Sequence, residues 1–306
     1  MVAVSQAGLA RGGGWGRLSL AVGRHPSLRT IQGVDEVAHK DPRKHWNQQA
    51  PIYTSEAGLQ KFGKFLDLYE ESCWRYIEPV LPEIDTSLIL EAGSGTGRWV
   101  VRLAPMGYRM VLSDLSPEMI KFASDKVERL GLSDRVAGYY ALDICDMHIL
   151  LEASFDIVLA LGGPLSLCRD AQLAVREFHR VTKPGGYVIC DTANRYRAAL
   201  DLVRENELAQ LTTVLDTGQF LRPDGLTDHR FSPRELADLF GANGMEPVHV
   251  VGICPFFDYL PTGEQVSILD DECAFATMQE LGRRYAEDPF VIALSGRLLI
   301  VARRRE

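Results

Sequence analysis

The chain has 306 residues, an apolar fraction of 46% and a formal net charge of −8; this suits one large domain with an ordinary core and argues against a broad nucleic-acid-binding face. No apolar run approaches the roughly 18–20 residues that span a bilayer, so no membrane span is predicted. The six cysteines (Cys73, Cys145, Cys168, Cys190, Cys254 and Cys273) are scattered without a Cys-x-x-Cys pair, as expected of reduced thiols in the cytoplasm with no metal site.

The first 34 residues carry Arg11, Arg17, Arg24 and Arg29, no acid, and the cluster Gly12–Gly13–Gly14–Trp15–Gly16. A transit peptide and a flexible tail both fit such a basic segment. The glycines oppose the amphipathic helix of a transit peptide, so residues 1–40 are expected to be a flexible tail, followed by one domain over 41–306. Leu59, Phe62, Phe65, Leu66, Leu68, Trp74, Ile77 and Val80 recur at near-helical spacing until Pro79 and Pro82 stop the helix, so 46–82 reads as a helical cap.

Strands and helices then alternate. Strands are predicted at Ser87–Ala92, Arg109–Ser113, Val136–Leu142, Phe155–Leu161 and Tyr187–Asp191. Helices are predicted at Arg98–Pro105, from Ser116–Pro117–Glu118 to Leu130, and at Asp170–Val181 before Lys183–Pro184–Gly185–Gly186. Ser232–Pro233–Arg234–Glu235 opens another helix, closed by Gly241 to Gly244, and Val248–Ile253 and Ser295–Ala302 complete the strands. The pattern predicts an α/β fold with a doubly wound, mostly parallel, seven-stranded Rossmann-like sheet. Residues 194–230 and 254–294 read as two lid-like insertions at its substrate side.

The first strand runs into Glu91–Ala92–Gly93–Ser94–Gly95–Thr96–Gly97–Arg98. A strand, a glycine turn and a helix start form the place where an α/β sheet receives a nucleotide-like ligand on bare backbone. Asp114 would suit a dinucleotide's ribose, but Arg98 breaks the Gly-x-Gly-x-x-Gly spacing, and the absence of Gly-Lys-Ser/Thr excludes a P-loop. The loop taken alone is a weak signal, and a purely structural turn is the plain alternative.

The order of several segments is more specific. Glu91 to Gly97 is followed by Leu112–Ser113–Asp114–Leu115–Ser116–Pro117–Glu118–Met119, then Ala141–Leu142–Asp143–Ile144, Ser154–Phe155–Asp156–Ile157–Val158, and Arg180–Val181–Thr182–Lys183–Pro184–Gly185–Gly186. This series resembles the class I S-adenosylmethionine-dependent methyltransferases, closely over 46–191 and loosely to 302. Trp46–Asn47–Gln48–Gln49–Ala50–Pro51–Ile52–Tyr53 looks like the amphipathic leading segment of that family's small-molecule and quinone-type branch.

The resemblance implies S-adenosylmethionine as cofactor and a set of roles. The backbone of Gly93, Ser94 and Gly95 approaches the methionine moiety, and Glu91 favours its ammonium. Asp114 accepts from the ribose hydroxyls and Leu115 packs on adenine. Asp143 accepts from the exocyclic amine, and the Ile144 backbone faces a ring nitrogen. Ala160 or Leu161 lies near the sulfonium, while Asp156 is a structural residue of its strand. Tyr53 is expected either to close over the cofactor or to pack its own helix.

Strand four ends in Leu161–Gly162–Gly163–Pro164, without the Asn/Asp-Pro-Pro-Tyr/Phe motif of enzymes that methylate exocyclic amines of nucleobases. The expected acceptor is therefore an O or N atom of a small organic molecule, with no nucleic-acid partner. Methyl transfer needs a base only where the nucleophile arrives protonated. His229 is the candidate base, with a surface residue as the alternative, and Asn194, Arg195 and Tyr196 are further candidates beside strand five. His148 and His179 read as structural.

Pro255–Phe256–Phe257–Asp258–Tyr259–Leu260 reads as an aromatic wall or as lid packing. Residues 255–294 hold eight acids against Arg283 and Arg284, either a rim that draws a cationic amine or a solvated helix surface. Two other functions stay open: a catalytically inactive cofactor-binding module and an NAD-dependent oxidoreductase.

Overall fold

Seven strands hydrogen-bond in the order β3-β2-β1-β4-β5-β9-β8. They are β1 (Leu88–Ala92), β2 (Arg109–Asp114), β3 (Val136–Ala141), β4 (Phe155–Ala160), β5 (Thr182–Ala193), β8 (Met245–Ile253) and β9 (Arg297–Arg304). In this computed structural model residues 40–54, 56–257, 260 and 262–306 are described, without the side chains of 53–64, 262–264 and 266. The expected tail, apart from Lys40, lies outside the described residues, as do Asp258 and Tyr259. Neighbouring strands run parallel except at β9, which is antiparallel to both β5 and β8.

Helices α1 (Pro42–Thr54) and α2 (Glu56–Ile77) precede the sheet. Between strands lie α3 (Trp99–Leu103), α4 (Pro117–Arg129), α5 (Pro164–Leu167), α6 (Ala171–Val181) and α9 (Pro233–Ala242). The helix starts follow their capping residues. Ser116 Oγ accepts from Met119 N at 3.1 Å, and Asp170 accepts from Leu173 N at 3.0 Å. Ser232 and Glu235 form a reciprocal capping box, which satisfies amides that have no partner inside the helix.

Alternate residues of each strand enter one of two cores. Ile89, Met110, Leu112, Ile157, Leu159, Ile189 and Leu299 pack with residues of α2, α3 and α4. Leu90, Val111, Val158, Ala160, Val188 and Ile300 pack with residues of α6 and α9 on the other face. Asp156 accepts from Leu88 N at 2.9 Å and pairs with Lys183 at 2.8 Å, tying β4 to β1 and β5.

Several boundaries differ from expectation. β5 starts at Thr182, not Tyr187, because its pairing with β4 skips from Phe155↔Thr182 to Ile157↔Tyr187. The Lys183–Gly186 turn is thus a bulge within the strand. The first insertion folds as α7 (Arg195–Arg204), α8 (Leu211–Thr217) and a hairpin of β6 (Gln219–Leu221) and β7 (Thr227–His229). The second contains α10 (Thr262–Asp270) and α11 (Glu272–Tyr285).

Candidate functional site

The strand alternation that builds the first core also aligns a set of polar residues. Glu91 continues the phase of Ile89, Asp114 that of Leu112, Asp191 that of Ile189, and Arg297 that of Leu299. At the carboxyl edge of the parallel strands, where the chain order reverses between β1 and β4, the apolar set gives way to these residues around a cavity of about 380 Å³. Such reversals are where α/β sheets take their ligands. Toward β2 and β3 the lining includes Gly95, Asp114, Leu115, Asp143 and Ile144; toward β4 and β9 it includes Leu161, Gly162 and Arg297. Phe65, Leu66 and Tyr69 of α2 and Pro42 and Trp46 of α1 complete much of the wall.

The glycine loop is held by backbone. Gly93 N and Ser94 N both donate to Ser113 O at 2.8 Å, so the end of β2 supports the turn. Gly93 and Gly95 have φ of +74° and +54°, but their surroundings differ. A Cβ on Gly93 would lie 2.8 Å from Pro164 Cβ, whereas one on Gly95 would meet nothing within 4 Å. Gly93 therefore serves packing against α5, and Gly95 leaves backbone bare at the cavity wall. Ser94 Oγ is buried without a partner, which leaves a hydroxyl in the wall for a ligand to satisfy.

Two carboxylates brace this loop. Asp114 Oδ2 accepts from Gly95 N at 2.8 Å and its Oδ1 from Ser116 N at 2.9 Å. Burial raises the Asp114 pKa above the ordinary value, and these two amides oppose the shift. Glu91 is only 3% exposed. Its Oε1 accepts from Arg98 N at 3.2 Å and Trp99 N at 3.1 Å, and its Oε2 from Val100 N at 3.1 Å. Burial pushes its carboxyl up to about 7 against those three bonds. Asp143 is half-buried, accepting from Cys145 N at 2.8 Å and from Arg169 Nε at 3.1 Å.

Other expected residues lie elsewhere. Ala160 is fully buried in the core on the opposite face of the sheet. One step of strand phase separates it from Leu161, which does line the cavity. His229 lines a separate hollow of about 300 Å³ with Gln219, Phe231 and Leu239. There the hairpin presents its Nε2 to Glu235 Oε1 at 2.8 Å. Asn194 is buried; it caps α7 and donates to Ile292 O and Ser295 O. Arg195 pairs with Glu235, and Tyr196 is exposed. The side chain of Tyr53 lies outside the described residues.

The aromatic segment contributes indirectly, since buried Phe257 stacks on Phe65 with ring centres 5.8 Å apart. Much of the acidic rim has local partners: Asp271 caps α11, Glu280 pairs with Arg283 and Arg284, and Asp288 accepts from Phe290 N.

Sequence reasoning missed a buried cluster at the β4–β9 end. Asp191 is 0% exposed. Its Oδ2 accepts from the Tyr69 hydroxyl at 2.9 Å and from Arg297 Nε, and its Oδ1 from Gly163 N at 2.7 Å. The Tyr69 hydroxyl accepts in turn from Gly162 N at 3.0 Å. One signal was available: Ile189-x-Asp191 repeats the apolar-x-acid ending of Ile89-x-Glu91 and Leu112-x-Asp114.

A family model described as a methyltransferase domain matches residues 89–186, which contain the glycine loop, Asp114 and Asp143. Residues 89–186 are a class I S-adenosylmethionine-dependent methyltransferase domain. The methyltransferase is 25% identical over 242 residues to the tRNA 5-carboxymethoxyuridine methyltransferase of Escherichia coli (strain K12), covering 76% of this chain and 86% of that protein. It is 32% identical over 147 residues to the malonyl-[acyl-carrier protein] O-methyltransferase of Hamiltonella defensa, covering 48% of this chain and 50% of the relative. Among solved structures, the [4+2]-cyclase SpnF shares the fold with a TM-score of 0.57 at 18% identity, covering 86% of this chain and 94% of that one. The nicotinamide alternative is set aside, because the methyltransferase uses S-adenosylmethionine. The bare backbone at Gly95 and the unpartnered Ser94 hydroxyl fit a ligand of that kind. Among the described residues no helix is long and apolar enough to cross a membrane.

Proposed function

We propose that this methyltransferase acts on an O or N atom of a small organic molecule in the cytoplasm. The observation that carries the reading is one cavity joining two unlike regions. Gly95, Asp114 and Asp143 make a hydrogen-bonding end, while Phe65, Leu66 and Leu161 make an apolar end closed by a polar tip. An acceptor packed on the apolar end would face the cofactor with little water between them. The net charge of −8 weighs against a long phosphate backbone as the docking partner. The free thiols suit a reducing compartment.

On this reading Gly93, Ser94 and Gly95 hold the methionine portion, with Glu91 opposite its ammonium. Asp114 takes the ribose hydroxyls, Leu115 an adenine face, Asp143 the exocyclic amine and Ile144 a ring nitrogen. When bound, S-adenosylmethionine supplies an already activated methyl group. The chain's own task is to hold the two reactants in line and keep water out.

The same reading sets a pH dependence. With its carboxyl held near 7, Glu91 is largely neutral in mildly acidic solution and gains charge as the pH rises. Affinity for S-adenosylhomocysteine should climb roughly five- to tenfold between about pH 6 and 7.5, before the ligand's amine itself deprotonates. Calorimetry on Glu91→Gln should give a flat profile. A wild-type profile equally flat would remove Glu91 from the ammonium site. For stability the sign is opposite. Burial raises the folded-state pKa, so the group's contribution is full below the ordinary 4.5 and is lost as the pH rises through about 7.

The reading is tested with purified protein, methyl-tritiated S-adenosylmethionine and an extract of the source cells separated into small-molecule, RNA and protein fractions. Label is expected in the small-molecule fraction. Label confined to RNA, the outcome the tRNA-modifying relative would favour, overturns the small acceptor, and so does label confined to protein.

A further inference from the structure

We infer that the acceptor is a carboxylic acid, bound as its carboxylate by Arg297 and methylated on oxygen. This rests on the small-molecule reading above and goes one step further, to the chemistry of the acceptor.

The first ground is the donor inventory of Arg297. It begins β9, lines the cavity, and is a cation on the β4–β9 side of it. A guanidinium carries five N–H donors in a planar fork. Here Nε is engaged by Asp191, and Nη2 is buried with no partner. The pairing with Asp191 fixes the plane of the fork without using all of its donors. Nη2 is packed beside Gly163, while 29% of the side chain remains exposed where Arg297 lines the cavity; carboxylates match such a fork in geometry and charge.

The second ground is the shape beside it. Gly162 lines the cavity with φ +97°, and a Cβ there would meet nothing within 4 Å. Its amide is held by the Tyr69 hydroxyl at 3.0 Å. The end of β4 thus presents bare backbone next to Arg297, with Phe65 and Leu66 as apolar wall for the rest of an acceptor.

The third ground is proton accounting. An alcohol or an ammonium group must lose a proton to become the nucleophile. Among the described residues at this end of the cavity, no group is placed to take it. Both oxygens of Asp191 already accept from three protein donors, and the Tyr69 proton is directed at Asp191. His229 lies in the other hollow, hydrogen-bonded to Glu235. A carboxylic acid arrives ionised at neutral pH and needs no base. Its oxygen lone pair forms the new O–CH₃ bond as the S–CH₃ bond breaks, with that electron pair passing to sulfur. The products are a methyl ester and S-adenosylhomocysteine, and no proton is released.

Alkali distinguishes the outcomes. A methyl ester gives up its label as volatile methanol, whereas N-methyl and ether O-methyl products keep theirs. The small-molecule product formed with methyl-tritiated S-adenosylmethionine should therefore lose its tritium as vapour after alkaline treatment. Alkali-stable label overturns the carboxylate but leaves small-molecule methyl transfer standing. Absence of label from the small-molecule fraction overturns both. Arg297→Lys, which keeps a cation but loses the fork, should raise the acceptor KM about tenfold, and Arg297→Gln about a hundredfold. Affinity for S-adenosylhomocysteine should stay within about twofold of wild type in both, since the lost contact is to the acceptor. If the glutamine variant fails to fold, the lysine variant decides, and an unchanged KM in it removes Arg297 from acceptor binding.

Discussion

Alanine at Asp191 is expected to destabilise the fold by about 3 kcal/mol, near the lower end of what breaking a buried ion pair costs. The carboxylate is 0% exposed and accepts from Arg297, from the Tyr69 hydroxyl and from Gly163 N. Its removal leaves all three donors unsatisfied, one of them charged. Arg297 retains some water contact, with 29% of its side chain exposed, which keeps the figure at that end of the range. For a domain of this size the midpoint of thermal unfolding should fall by roughly 6–12 °C. Asp191→Asn keeps one acceptor oxygen and should lose about half as much. Denaturant titration of both variants measures the difference. A loss below about 1 kcal/mol in the alanine variant would mean that the donors find other partners.

The largest effect on ligand binding is expected at Asp114. Asp114→Ala should weaken S-adenosylhomocysteine binding by about a hundredfold or more, because two losses combine. On the proposed assignment the ribose hydroxyls lose a charged acceptor, and Gly95 N and Ser116 N lose the oxygens that set the loop, at 2.8 Å and 2.9 Å. Asp114→Asn should fall between, since an amide oxygen can serve only one of those donors well. Asp143 is half-buried and shares its carboxylate with Arg169, so Asp143→Ala should cost nearer tenfold. Calorimetry on the three variants gives the ranking. Asp114→Ala binding as tightly as wild type would dismantle the proposed assignment of the hydrogen-bonding end.

Much of the sheet was legible because β1, β2 and β4 are short, largely apolar and followed by a recognisable cap or glycine turn. The hydrogen-bonding end was legible for a related reason: Glu91, the glycines, Asp114 and Asp143 each sit at the end of a strand, within about fifty residues of one another. The β4–β9 end is different. Tyr69, Asp191 and Arg297 are more than a hundred residues apart in sequence, and the pairing of β5 with β9 brings the last two together. No local pattern contains that pairing, although the phase of Ile189-x-Asp191 hinted at it.

Two misplacements have equally physical causes. Ala160 and Leu161 differ by one residue, which in a strand is the difference between opposite faces. His229 was assessed by its sequence neighbours, but the residue it meets is Glu235, turned toward it by the capping box of α9.

Because β9 alone runs against its neighbours, it is the strand's first residue, not its last, that reaches the reactive rim. The pocket is consequently written in two widely separated stretches of the gene product. The proposed grip on the methyl donor is spelled out in residues 91–144, and the guanidinium proposed to face the acceptor is supplied just over two hundred positions after that stretch opens. Substitutions around Arg297 could retarget the enzyme to a new acceptor without altering a single residue of the donor grip. The two halves of the pocket are in that sense free to diverge at different speeds.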